Sequence, residues 1–91
     1  MTISTKRFDI ADYLTDEETI REYFRQVLAD GDSEEIVSAL GHIARARGME
    51  KLAADTGLGM ESLCKTFAEG SRPRFDTILR ISRALGLPLT V

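Results

Sequence analysis

Two runs of helical periodicity stand back to back in the first half of this chain, separated only by Asp30-Gly31-Asp32. In the first, Ile20, Tyr23, Phe24, Val27 and Leu28 recur at i, i+3, i+4, i+7 and i+8; in the second, Ile36, Val37, Leu40, Ile43 and Ala44 form a similar stripe. Each pattern puts its apolar side chains on one face of a helix, which must then be covered. Thr15 with Glu18, and Asp32 with Glu35, have the spacing of a capping box, which satisfies two N–H groups at a helix start. Arg45 and Arg47 suit the negative end of the second helix, and Gly48 suits a left-handed stop. Local sequence therefore commits the chain to helices.

Three shorter helices are predicted after these, over residues 49–55, 60–68 and 74–85. Leu52 and Ala53 lie on the first; Leu63 and Phe67, four apart, on the second. Phe75, Ile78, Leu79, Ser82 and Leu85 mark the third. Pro73 belongs at a helix entry, since it lacks the N–H that a helix interior needs. Leu87-Pro88-Leu89-Thr90-Val91 alternates like a short strand, with Pro88 confining it to a sheet edge. Residues 1–14 show no helical period and are expected to be extended, lying before a single helical domain at 15–91. The expected fold is all-α with about five helices. A 91-residue chain buries only a bit over half of its unfolded surface, so a second copy would help to cover it.

No apolar run approaches the roughly 20 residues that span a bilayer, and the N-terminus has no apolar signal core. The reading is a cytoplasmic protein. Cys64 is the single cysteine and His42 the single histidine, which excludes an internal disulfide and a zinc site built on such ligands. No pair of groups has the spacing for acid–base or nucleophilic work, so no catalytic, cofactor or metal site is expected and the chain does not read as an enzyme. The net charge of −3 conceals an asymmetry: residues 1–40 carry four basic and ten acidic side chains, residues 41–91 eight basic and five acidic. An acidic half and a basic half suggest two faces for two partners.

The basic half holds the informative motif. Residues 49–68 place a short helix, a turn at Gly57 and a second short helix, the layout of a helix-turn-helix. Ala53 is small where the helices would cross, Gly57 supplies a positive φ, and Leu52, Leu58 and Leu63 close the core beneath. The second helix would then enter a major groove about 12 Å wide with its N-terminal residues toward the base edges. Gly59, Met60, Glu61, Ser62 and Lys65 lie on its early, outward part and are the candidate base and phosphate contacts. Lys51, Arg72 and Arg74 flank the motif and could clamp phosphates, whereas Arg80 and Arg83 read as surface charges.

Beyond the motif, the series Gly70, Pro73, Thr77, Ile78, Leu79, Ile81, Ala84, Leu85 and Gly86 resembles the ending of phage-repressor-like (Xre/Cro type) domains. With Phe8–Leu14 and Ala39–Met49 included, nearly the whole chain is similar to the addiction-module antidote family, antitoxins like those of the HigA group. That resemblance implies a homodimeric DNA-binding antitoxin that neutralises a RelE/ParE-superfamily toxin and represses its own operon. Such toxins tend to be basic, which would suit Asp16, Glu17, Glu18 and Glu22. The sequence departs from the family pattern at Gly59, Met60, Cys64 and Arg74, where Ser, a polar residue, Tyr and Ser are common. Two other readings fit the residues: a stand-alone phage-type repressor without a toxin, and a helical interaction bundle that no longer touches DNA. For a homodimer, Leu87, Leu89 and Val91 are the first candidate contacts, and the stripe around Phe24 and Leu28 the second. The alternative for the tail is a return to its own domain, pairing with Phe8-Asp9-Ile10.

Overall fold

The computed structural model describes residues 10–89, and it is all-α. A single helical turn, α1 (Ile10–Tyr13), precedes five helices: α2 (Glu17–Asp30), α3 (Ser33–Arg47), α4 (Met49–Thr56), α5 (Met60–Thr66) and α6 (Phe75–Ala84). The predicted helices are all present, with ends shifted by one or two residues. α1 is a departure, since an extended segment was expected there; its turn lets Leu14 enter the core and donate its N–H to the Ile10 carbonyl at 3.2 Å. Residues 1–9 of that segment lie outside the described residues.

The caps explain the boundaries. Asp32 and Glu35 form the full reciprocal box, each side chain accepting from the other's backbone N–H at 2.9 Å. At the start of α2 the cap falls one residue later than the sequence suggested. Asp16, not Thr15, accepts from the Thr19 N–H at 2.7 Å, and a carboxylate there also meets the positive end of the helix dipole. The same backbone and side-chain hydrogen bonds from Thr19 hold the Asp16 pKa below its ordinary value. A depressed carboxylate stabilises the fold at neutral pH and ceases to do so as pH falls through its folded-state pKa. Asp16→Ala is therefore expected to lower the melting temperature at pH 7, and the gap to wild type to close at acidic pH. A gap of equal size at both pH values would remove Asp16 as the charged cap.

α3 is the spine of the molecule. It packs against α1, α2, α4 and α6, and Ala39, Leu40, Gly41, Ile43 and Ala44 are all buried on it. Around it sit Ile20 and Phe24 from α2, Leu52 from α4, Leu63 from α5 and Ile81 from α6. α2 and α3 are also tied at their far ends: Arg47 donates to Glu17 at 2.9 Å across thirty positions of sequence.

The tail folds back on its own domain. Leu87 is buried, its N–H donates to the Ser82 carbonyl at 2.9 Å, and the Ser82 hydroxyl donates to the Leu87 carbonyl. This exchange turns the chain into the core at the end of α6, and no strand occurs among the described residues. Leu87 and Phe24 are thus core residues and not free for a dimer contact, while Leu28 and Leu89 stay half-buried. Thr90, Val91, Phe8 and Asp9, which the strand and its pairing would need, lie outside the described residues.

Candidate nucleic-acid interface

α4, the turn Gly57-Leu58-Gly59 and α5 present the candidate contacts. Gly57 is left-handed at φ 76°, ψ 7°. A Cβ there would meet open space, so the backbone conformation alone requires glycine. Thr56 fixes the turn from below. It is buried, donates its hydroxyl to the Leu52 carbonyl at 2.8 Å, and accepts from the Leu58 N–H at 3.2 Å. Its hydroxyl thus both donates and accepts inside the protein, as a buried polar group must.

α5 is seated almost entirely through Leu63, which is 0% exposed. Gly59, Met60, Glu61, Ser62, Cys64 and Lys65 are all exposed, and Thr66 and Phe67 are half-buried. A helix anchored along one narrow line projects the rest of its surface outward. Met60 is 43% exposed at the first helical position, able to offer an apolar contact where a hydrogen-bonding side chain would read a base. Gly59 takes an extended conformation before the helix, and no side chain caps α5.

The flanking cations are exposed as well. Lys51 stands on α4, where it pairs with Asp55 one turn on at 3.1 Å. Such an exposed pair is worth about 0–1 kcal/mol and can be exchanged for another anion. Arg72 and Arg74 occupy the segment between α5 and α6, with Arg74 as the N-cap residue of α6. The Ser71 hydroxyl donates to the Thr66 carbonyl at 2.5 Å, pinning that segment to the end of α5. Seven of the eight predicted site residues thus belong to one continuous stretch, Gly59 to Arg74, and Lys51 lies on the preceding helix. Arg80 and Arg83 instead line a groove with Asp55 and Asp76 between α4 and α6.

On the acidic side, the expected face of α2 is largely occupied within the chain. Asp16 caps the helix, Glu17 binds Arg47, and Glu22 holds Arg25 at 2.6 Å and Gln26 at 3.1 Å. The Arg25 and Gln26 hydrogen bonds pull the Glu22 pKa below its ordinary value.

Two positioning residues escaped the sequence reading. Thr56 falls just past the helix predicted over residues 49–55. Gly41, in the middle of α3, lets Phe67 approach so closely that a Cβ would stand 3.2 Å from the Phe67 Cβ. A glycine inside a strong helical pattern, where it costs about 1 kcal/mol against alanine, was the available signal.

Residues 4–91 match the model of a family described as "probable addiction module antidote protein". The chain belongs to this family. The match to the antidote family spans all six helical elements, so the candidate interface lies within the family's domain. The chain is also 42% identical over 91 residues to an uncharacterized protein of Haemophilus influenzae (strain Rd), covering 100% of this chain and 94% of that one. No solved structure matches. Among the described residues, no helix of this antidote-family protein is long and apolar enough to cross a membrane.

Proposed function

We propose that this protein is the antitoxin of a type II toxin–antitoxin module, which binds operator DNA as a homodimer, represses its own operon and neutralises a RelE/ParE-superfamily toxin. The observation that carries the DNA reading is the projection of α5: one buried leucine beneath, an otherwise exposed surface above, and three exposed cations on the segments that flank it in sequence. Membership of the antidote family carries the toxin reading and favours it over a stand-alone repressor. A small basic toxin reading frame beside the gene, and co-purification of its product, are the expected accompaniments; absence of both would leave the repressor.

In this reading α5 lies in the major groove. Ser62 can donate or accept at a base edge, Glu61 can accept from a cytosine amine, and Met60 can touch a thymine methyl. Lys65, Lys51 and Arg74 neutralise phosphates, which positions the protein and makes binding salt-dependent. The acidic net charge is no obstacle, because the ten acidic residues of the first forty lie ahead of the motif. A mobility shift with the DNA upstream of the gene, at two salt concentrations, tests the whole reading; binding at neither would leave the interaction bundle. Lys65→Ala is expected to weaken binding by a similar factor on all sequences and to reduce the slope of log K against log salt by about one. Its circular dichroism should be unchanged, since the side chain is exposed. Unchanged affinity and slope would take Lys65 off the contact surface.

A further inference from the structure

The largest exposed apolar side chain of the described residues is Phe75, 69% exposed at the first position of α6. It borders an open groove of about 650 Å³ between the α2–α3 corner and the start of α6, together with Leu28, Ile36, Val37, Ile78 and Leu89. None of these is fully buried. A phenylalanine exposed beside an apolar trough is the anatomy of an unpartnered contact.

We propose that this groove is the homodimer seam, with Phe75 of each copy seated in the groove of the other. The proposal rests on the dimeric reading above and names its surface. Three features select a second copy as the occupant. First, knob and trough belong to one patch, which is what an isologous two-fold contact needs. Second, the walls carry opposite charge: Asp32 and Glu34 stand at the α3 start, Arg72 on the segment before α6. A two-fold axis through the groove sets each copy's carboxylates against the other's guanidinium, whereas a uniformly basic partner would satisfy Asp32 and Glu34 but leave Arg72 facing like charge. Third, the groove wall includes Ser71, whose hydroxyl holds the end of α5. An axis through the groove therefore relates the two α5 helices by the same two-fold symmetry that a palindromic pair of half-sites has. In the dimer Arg72 faces the partner's acidic wall, and phosphate contact from this segment falls to Arg74.

Light scattering and sedimentation of the full chain across the micromolar range decide the matter. Wild type is expected to be a dimer. Phe75→Glu is expected to raise the dimer dissociation constant by at least about thirtyfold with an unchanged dichroism spectrum, because Phe75 contributes little to the monomer core. Glu34→Lys and Arg72→Glu should each weaken the dimer, and the two together should restore it, a rescue that loss of packing alone does not give. Should Phe75→Glu fail to fold, the charge-reversal pair carries the decision. A monomeric wild type overturns both this seam and the dimeric reading. A dimeric wild type with an equally dimeric Phe75→Glu and no rescue overturns the seam alone. A Phe75→Glu dimer that no longer co-purifies with the product of the neighbouring toxin frame assigns the groove to the toxin and overturns it too. DNA binding is scored separately by mobility shift, so failure there leaves the seam standing.

Discussion

Leu63→Ala is expected to cost about 2–5 kcal/mol, the range for truncating a fully buried leucine whose surroundings relax incompletely. A domain of this kind has only about 5–15 kcal/mol to lose. Leu63 is the one fully buried side chain of α5, so the loss falls on the attachment of the helix that carries Met60, Glu61, Ser62 and Lys65. Urea denaturation should show a lower midpoint with a similar slope, and DNA affinity should fall even at temperatures where the variant is folded. Leu63→Met, nearly equal in volume, should lose less than about 1.5 kcal/mol. An unchanged midpoint for the alanine variant would mean that α5 is seated elsewhere.

The sequence made that anchor visible because α5 is short: among seven residues, one apolar side chain at the right phase is enough to orient the helix. Local chemistry was legible in general. Asp32 and Glu35 lie three apart, and their reciprocal cap forms within one turn of helix. Gly57 announced a left-handed turn, and the turn is left-handed. The exposed status of Lys51, Gly59, Met60, Glu61, Ser62, Lys65, Arg72 and Arg74 followed from the phase of α5 and from the polar character of its flanks. At the start of α2 the spacing pointed to Thr15, but the neighbouring charged acceptor, Asp16, took the cap, which spacing alone does not decide.

Contacts between distant positions were not legible. Arg47 reads as a cation placed for the helix dipole, and no periodicity reveals that it reaches Glu17 at the far end of the preceding helix. Leu87 looks like the start of a free strand; what turns it into the core is the paired exchange with Ser82, a residue that by sequence only marked the face of the last helix. Phe75 counts as core by its phase on α6, yet among the described residues no surface covers it, and it is 69% exposed. In each case the deciding partner sits on another element or on a turn, and only the packed structure shows it.

Gly41 is the sharpest of these distant contacts, and replacing it should show how tightly α5 is coupled to the spine of the fold. An added Cβ would stand 3.2 Å from the Phe67 Cβ and Cγ. Gly41→Ala sets that crowding against a helix-propensity gain of about 1 kcal/mol, so its net effect should be small. Gly41→Leu adds bulk that the site cannot hold and should destabilise by about 1–3 kcal/mol, the usual cost of overpacking. The damage should not stop at stability. Phe67 closes α5, its N–H donating to the Leu63 carbonyl at 3.1 Å, and displacing it shifts the end of the helix that holds Lys65. DNA affinity should therefore drop in Gly41→Leu at temperatures where the fold persists. Phe67→Ala leaves the Cβ but removes the ring atoms that crowd the site, so the double variant should be more stable than the two single losses added together, a coupling on the order of 0.5–3 kcal/mol in a double-mutant cycle. Strict additivity would mean that residues 41 and 67 do not meet, and that α5 is placed by its leucine alone.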